Sequence, residues 1–135
     1  MLGSLQVRRE RELIVLEVLL MPLLTLQTSV TLSNQQRYDL LAPLSKIVAE
    51  CIGKPERYVM VSVSTVALLM DGYEAPAAYA DLRSIGGLSP AVNRKLSERI
   101  CALLKERLGI PPDRVYLGFT SVSAENWGWN GGTFG

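Results

Sequence analysis

The residue with the most unusual possible chemistry in this sequence is a proline that directly follows an internal methionine. Pro22 comes after Met21 and opens an alternating apolar and polar run at residues 23–27. If the chain starts or is cut here, Pro22 carries a free secondary amine, which is a base. If the chain is continuous, the same nitrogen is a tertiary amide with neither basicity nor an N–H. A purely structural interpretation makes Pro22 an edge or bulge proline before a strand.

The composition restricts which groups could perform acid–base chemistry. The 135 residues include no histidine, which excludes Ser-His-Asp and Cys-His catalysis and most zinc sites. Proton transfer near neutral pH must therefore use a carboxyl, a lysine, a tyrosine or a terminal amine. Apolar walls and a nearby cation both favour the unprotonated form of a prolyl amine. Leu23, Leu24 and the aromatic tail (residues 126–135) can supply the walls, and Lys54 the cation.

Several other residues have both a structural and a functional interpretation. Lys54 follows Gly53 at the predicted end of a helix, where a cation complements the helix dipole. It could equally bind the carboxylate of an anionic substrate. Ser84 and Ile85 end a predicted strand, where backbone N–H groups become free to face a ligand. Tyr116 lies on a predicted strand and could donate a hydrogen bond, although strand tyrosines more often pack.

Length and charge indicate one folded domain. An apolar content of 48% with 20% charged residues is typical of a globular protein. The net charge of +1 gives no electrostatic reason to predict nucleic acid or a membrane surface as a partner. Cys51 and Cys101 form no C-x-x-C motif. They are interpreted as buried thiols on the apolar faces of two predicted helices. Without a disulfide framework we expect a reducing compartment, the cytoplasm.

Residues 1–21 are predicted to be separate from a domain at residues 22–135. Glu17 interrupts the apolar run at residues 13–20 and no small-residue cleavage site follows, so the segment is unlike a secretory signal. It is also too short for a membrane span. Three interpretations stay open: sequence upstream of the true start, an extension that packs on the domain, and a piece that is cleaved off.

Alternating residues predict four main strands, which begin near Leu23, Val59, Tyr79 and Val115. Two helices are predicted between them. The first starts after a capping box at Ser33 and Gln36 and ends at Gly53, and the second starts at Ser89-Pro90 and ends at Gly109. Pro43 lies inside the first helix and should bend it or cost one hydrogen bond.

The two halves repeat one unit. The segments 53–58 and 109–115 each contain a glycine, a proline and an arginine before a strand, which indicates strand–helix–strand used twice with a period of roughly 57 residues. Right-handed crossovers would place both helices on one face of a four-stranded sheet. The predicted fold is therefore α+β. Because the other face would be uncovered, we expect oligomerisation through the sheets.

Taken together, the motifs resemble those of macrophage migration inhibitory factor and D-dopachrome tautomerase, of the tautomerase superfamily. They are Met21-Pro22, Gly53-Lys54-Pro55 with Tyr58, Ser84-Ile85-Gly86, Asn93-Arg94, Pro112-Asp113-Arg114-Val115-Tyr116, Asn126, Gly128-Trp129-Asn130 and Thr133-Phe134. Each motif is weak alone, but their order and spacing are family-like. The resemblance covers residues 22–135.

The resemblance implies a homotrimer with active sites at the subunit boundaries and no metal or organic cofactor. The implied reaction is keto–enol tautomerisation of phenylpyruvate-like aromatic α-keto acids. Pro22 would be the catalytic base, Lys54 and the backbone at Ser84 and Ile85 would hold the carboxylate, and Tyr116 would come from the adjacent subunit. The resemblance assigns the aromatic pocket lining to Tyr58, Trp129 and Phe134.

Four positions depart from the family pattern. Gly118 stands where macrophage migration inhibitory factor has a pocket asparagine, and Trp127 replaces a smaller pocket-edge residue. Ala77 and Ala80 replace a C-x-x-C motif, so thiol–disulfide activity is not expected.

The alternative function is a non-catalytic cytokine-like or ligand-binding protein on the same fold, particularly if residues 1–21 are retained. The family also allows secretion without a signal peptide, in which case a protein receptor is a possible partner. A ferredoxin-like nucleic-acid-binding domain shares the outline of the repeat. The near-neutral charge and the lack of paired aromatic residues on central strands argue against it.

Overall fold

Four strands form one mixed sheet in the order β2–β1–β3–β4. They are β1 (Pro22–Thr28), β2 (Met60–Thr65), β3 (Ala78–Ser84) and β4 (Val115–Ser121). β1 runs parallel to β2 and antiparallel to β3, and β3 runs parallel to β4. The computed structural model describes residues 21–135. The predicted separate segment at residues 1–21 therefore lies outside the described residues, except for Met21.

Two long helices connect the strands of each half, α1 (Asn34–Ile52) and α2 (Pro90–Leu108). The capping box is present as predicted: the Gln36 N–H donates to Ser33 Oγ over 3.1 Å, and the Ser33 N–H donates to Gln36 Oε1 over 2.9 Å. α1 continues through Pro43, which removes one backbone donor. Each helix ends at a left-handed glycine, Gly53 (φ 82°) or Gly109 (φ 67°). Neither helix is long and apolar enough to span a membrane, and none other within residues 21–135 is.

The core lies between the helices and one face of the sheet. Alternate residues of β1 and β3 point into it, and Leu24 and Leu82 are almost completely buried. Both helices contribute fully buried leucines and isoleucines to the same cluster: Leu44 from α1, and Leu96, Ile100 and Leu104 from α2. The prediction of an α+β fold with two helices on one face of a four-stranded sheet is confirmed.

The other sheet face carries no helix, and we call it the open face. The register assigns these residues to it: Leu23, Thr25, Gln27, Met60, Ser62, Ser64, Tyr79, Asp81, Arg83, Tyr116, Gly118 and Thr120. Met60 and Tyr116 are each 67% exposed in the single chain. Most of these side chains are polar or small, which suits a face that can meet water.

The tail contains structure that the sequence did not predict. β5 (Gly128–Trp129) pairs with β6 (Gly132–Thr133) in a small antiparallel hairpin. Its turn residues Asn130 (φ 51°) and Gly131 (φ 81°) both have positive φ, as a tight Asn-Gly hairpin turn requires. The four main strands begin within one residue of the predicted positions, at Pro22, Met60, Ala78 and Val115.

One buried arginine holds the loop between β2 and β3. Arg114 is 7% exposed, and its guanidinium donates to the carbonyl oxygens of Met70 and Pro76 (both 3.1 Å), Tyr73 (3.3 Å) and Ala75 (3.4 Å). The Tyr73 ring stacks on the same group, with 4.5 Å between Cζ and the ring centroid. The loop therefore depends on the planar fork of this side chain.

We expect Arg114→Lys to lower the free energy of unfolding by about 2 kcal/mol or more. The lysine ammonium lacks the planar fork of donors with which the guanidinium reaches the four carbonyl oxygens. Chemical denaturation measures the change. The matched control is Arg107→Lys in the exposed last turn of α2, expected to cost less than about 0.5 kcal/mol. Equal stability of the two variants would contradict the role given to Arg114.

Candidate functional site

A cleft of about 450 Å³ opens at the start of β1. Within residues 21–135, three parts of the chain enclose it: the beginning of β1, the short turn of 3-10 helix Glu56–Tyr58 that leads into β2, and the tail. The lining is Met21, Pro22, Leu23, Arg57, Tyr58, Val59, Met60, Asn126, Trp127, Gly128 and Trp129. The lining among these described residues is mostly apolar and aromatic, which suits an aromatic ligand.

Pro22 is the buried first residue of β1 and lies opposite Ser84 of β3. The first position of a strand tolerates proline, because the missing N–H is not needed within the strand. In the continuous chain the Pro22 nitrogen is bonded to Met21, whose side chain is 5% exposed and lines the same cleft. The fold therefore accommodates Pro22 as a structural residue and also places its nitrogen beside a cavity.

The three aromatic residues assigned to the pocket lie together. The rings of Tyr58 and Trp129 meet edge to face, with 6.3 Å between centroids, and Trp129 stacks on Phe134 at 5.8 Å. The Phe134 N–H donates to the Trp127 carbonyl oxygen over 3.3 Å, which fastens the end of the tail to the hairpin. Tyr58 and Trp129 line the cleft, whereas Phe134 lies outside the lining and packs on Trp129.

Ser84 and Ile85 lie next to Pro22 at the end of β3. Ser84 is fully buried and its hydroxyl donates to the Gly86 carbonyl oxygen over 2.7 Å. Ile85 is 3% exposed. Gly86 (φ 75°) and Gly87 (φ 79°) both adopt the left-handed conformation, so the chain leaves the sheet directly after Ile85. The backbone at Ile85 is thus held near the cleft.

Lys54 lies outside the cleft lining. Its backbone N–H donates to the Ala49 carbonyl oxygen over 3.0 Å, so Lys54 directly follows the end of α1, as predicted. Its half-buried side chain makes no ion pair with any carboxylate among residues 21–135.

Tyr116 lies far from Pro22 within one chain. Residues that are paired across neighbouring strands form a row across the sheet. Pro22, Ser84 and Ser121 form one such row. Tyr116, Tyr79 and Gln27 form another. Five residue steps separate the two rows, roughly 16 Å along the strands. Tyr116 also belongs to the open face, opposite the helix-covered face of Pro22. One chain alone does not bring these two residues together.

Arg57 is a cleft residue to which the sequence analysis assigned no role. Its Nη2 donates to the Tyr58 hydroxyl over 2.9 Å, and its Cζ lies 4.7 Å from the centroid of the Tyr58 ring. Its position between Lys54 and Tyr58, both assigned to the site, was the available signal. Trp127, expected at the pocket edge, does line the cleft.

Gly118 lies beneath two open-face side chains. A Cβ added at this position would come within 3.2 Å of the Tyr79 hydroxyl and 3.6 Å of Asp81 Oδ1. These groups therefore occupy the space that a larger residue would use.

The two cysteines are half-buried rather than fully buried. Burial raises the pKa of the Cys101 thiol, which disfavours the thiolate and supports a packing role. Arg99 approaches Cys51 Sγ at 3.8 Å while pairing with Glu50 at 2.8 Å. Within residues 21–135 no group of histidine, cysteine or acidic side chains could hold a metal ion.

The fold and the site define a protein of two strand–helix–strand units, with an aromatic cleft at the proline that begins the first strand of the sheet. The family model for macrophage migration inhibitory factor matches residues 21–135. The chain belongs to the macrophage migration inhibitory factor family.

Individual relatives match the same part of the chain. Macrophage migration inhibitory factor of Meriones unguiculatus is 39% identical over 115 residues, which cover 84% of this chain and 99% of the relative. The homologue of Trichinella spiralis is 37% identical and is covered completely. Among solved structures, the Prochlorococcus marinus homologue is 42% identical with a TM-score of 0.79, and the Entamoeba histolytica protein is 32% identical with a TM-score of 0.81. Both of these matches cover 84% of this chain and 99% of the other.

Residues 21–135 thus correspond to nearly the whole length of relatives that fold as chains of this size. A hydrophobic core shared by both helices and the sheet is present within this part. Protein limited to it is therefore a suitable sample for experiments.

Both tryptophans of the chain, Trp127 and Trp129, line the cleft, so intrinsic tryptophan fluorescence reports on this cavity. We expect a saturable change in fluorescence when phenylacetate, an aromatic acid that does not absorb at the excitation wavelength, is titrated into the protein. Trp129→Phe should weaken the binding about threefold by reducing the aromatic wall. Tyr38→Phe on the exposed face of α1 is the matched control and should bind like the parent. A linear, unsaturable response would argue against an aromatic-acid site here.

Proposed function

We propose that this chain, when its N-terminus is Pro22, is a keto–enol tautomerase that acts on phenylpyruvate-like α-keto acids. The observation that carries the proposal is the position of Pro22, at the first place of β1 and in the lining of the aromatic cleft. Membership of the family supports it, because the family resemblance assigns the catalytic proline to this residue. On this proposal residues 22–135 are the catalytic domain and residues 1–21 are absent from the active form.

The surroundings of Pro22 suit a general base. Leu23, Val59 and the rings of Tyr58 and Trp129 give the cleft apolar walls, which disfavour the protonated form of a terminal amine. A secondary amine here would therefore be a competent proton acceptor at neutral pH.

The reaction needs one proton to be moved within the substrate. Pro22 takes the proton from the carbon beside the keto group, and the electrons of that C–H bond form the enol double bond. The protonated Pro22 then returns the proton to the oxygen, and the reverse sequence restores the keto form. The substrate neither gains nor loses atoms, so no redox partner is required.

The remaining roles concern orientation. We assign the α-carboxylate of the substrate to Lys54 and to the backbone N–H of Ile85, with buried Ser84 holding the end of β3 in place. Tyr58, Trp129 and Phe134 would contact the aromatic ring. Tyr116 would stabilise the enol or carbonyl oxygen.

The distance between Tyr116 and Pro22 supports an active site shared between subunits. Because one chain separates their sheet rows by five residues and places them on opposite faces, Tyr116 must come from another copy. The uncovered open face, with Tyr116 67% exposed, is consistent with assembly through the sheets. We propose a homotrimer, in which each boundary would combine Pro22 of one subunit with Tyr116 of its neighbour.

A non-catalytic function is the second candidate, and the burial of Met21 favours it. In a continuous chain Met21 occupies part of the cleft lining and the Pro22 nitrogen is an amide. Such a protein could still bind a ligand or, if secreted, a protein receptor, but it would lack the base.

Pro22→Gly, in protein that begins at residue 22, should reduce the turnover of phenylpyruvate about a hundredfold, because the fixed secondary amine is lost. The assay follows enol formation by ultraviolet absorbance. Pro90→Gly, at the exposed first position of α2, is the matched control and should retain activity.

The same assay on the full chain with residues 1–21 attached should show background activity only, since the Pro22 nitrogen is then an amide. Equal activity of the full chain and of the protein that begins at Pro22 would rule out the amine-base mechanism.

Complementation tests whether two subunits share one site. Tyr116→Ala should lower turnover about tenfold by removing one hydrogen bond to the reacting oxygen. When Pro22→Gly and Tyr116→Ala chains are co-expressed, random assembly makes about one site in four wild-type. Activity should then exceed that of either parent. A mixture no more active than the average of its parents would contradict a shared site.

A further inference from the structure

We infer that Ser45 and Glu56 are positioning residues for the aromatic wall of the cleft, because the hydrogen bond between them holds the short turn that carries Tyr58. This inference rests on the proposed function, since it concerns how the same cleft keeps its shape for an aromatic acid. The observation that carries it is a contact between side chains of two different elements. Ser45 Oγ of α1 donates to Glu56 Oε2 over 2.9 Å.

The turn Glu56–Tyr58 has little internal support. It is a single turn of 3-10 helix, and Pro55 before it provides no side-chain cap. The Val59 N–H closes the turn by donating to the Glu56 carbonyl oxygen over 2.9 Å. A helical segment of three residues is not stable by itself, so contacts with the rest of the protein determine where it lies.

The two ends of the closed turn face different partners. At one end the Glu56 carboxylate is bonded to the half-buried Ser45 of α1, a helix of 19 residues that provides a rigid support. At the other end the Tyr58 ring lines the cleft and meets Trp129 edge to face, with 6.3 Å between centroids. A restraint on Glu56 therefore limits the movement of Tyr58 against Trp129.

The two residues act on a ligand through Tyr58, because neither Ser45 nor Glu56 is among the described residues that line the cleft. Without their hydrogen bond the turn gains freedom that a ligand must remove when it binds, so affinity falls. Glu56 is exposed, and its carboxylate stays hydrated when the bond is lost. The stability of the fold should therefore change little.

The test uses protein that begins at Pro22 and measures the Kd of phenylacetate by tryptophan fluorescence. Ser45→Ala removes the bond without changing the charge and should weaken binding about threefold. Glu56→Ala and Glu56→Gln have the same charge, but the glutamine keeps an acceptor for the Ser45 hydroxyl. Glu56→Ala should therefore bind about threefold more weakly than Glu56→Gln. The double variant Ser45→Ala/Glu56→Ala should bind like Glu56→Ala, since both changes remove one bond.

Two further measurements distinguish positioning from a general loss of structure. Ser45→Ala should raise the KM for phenylpyruvate about threefold and leave kcat unchanged, because the base is not affected. It should also increase the quenching of the cleft tryptophans by acrylamide about 1.3-fold, since a looser Tyr58 uncovers the Trp129 ring. The quenching measurement needs neither ligand nor catalysis. It tests the inference even if the parent does not turn over phenylpyruvate, a result that contradicts the proposed function alone.

Asp39→Ala is the matched control. It removes another exposed side-chain hydrogen bond of α1, which Gln35 Nε2 donates to Asp39 Oδ1 over 2.8 Å, and this bond does not reach the turn. The variant should bind phenylacetate like the parent. The inference is overturned if Ser45→Ala matches the parent in affinity and quenching, if Glu56→Gln binds as weakly as Glu56→Ala, or if the losses of the double variant add.

Discussion

The pairing of Pro22 with Ser84 is the contact on which the rest of the site depends. It fixes the first residue of β1 at the end of the sheet where β3 leaves it, and the left-handed glycines Gly86 and Gly87 turn the chain away directly afterwards. The nitrogen of Pro22 is therefore held in a defined place by backbone geometry. The side chains of the turn before β2 and of the tail then only need to enclose that place, which they do with aromatic and apolar groups.

On the proposed mechanism, the same sheet register makes a single chain incomplete as an enzyme. A sheet that places Pro22 at one end of β1 necessarily places the start of β4, and with it Tyr116, at the other end. The helices cover only one face, and the open face carries polar and small residues with exposed tyrosines. Assembly through that face would bring distant rows of different chains together, which no conformational change within one chain could achieve.

Much of the fold could be predicted because its signals are local. Ser33 with Gln36 specifies a helix start through two hydrogen bonds within four residues, and Gly109 specifies a helix end through its own φ. The alternation of Leu24 and Leu26 with polar neighbours likewise identifies the buried face of β1. The Asn130-Gly131 turn was an equally local signal for the tail hairpin, and it was missed because the strands beside it are only two residues long.

The site was less predictable, because it depends on contacts between distant segments. The place of Arg57 in the cleft follows from the packing of Tyr58 on Trp129, which are far apart in sequence. The clamp that Arg114 forms on the loop before β3 likewise requires four carbonyls that no periodicity reveals. Lys54 was predicted as a site residue from family resemblance, and the single chain leaves it beside the cleft rather than in it.

The chemical state of one nitrogen is the central claim, since Pro22 can be a base only when no peptide bond precedes it. The most direct measurement is the intact mass, with N-terminal sequencing, of the protein purified from the cells that make it. We predict a chain that begins at Pro22. A mature protein that retains Met21, or any residue before it, would contradict the account and leave the fold without its proposed base.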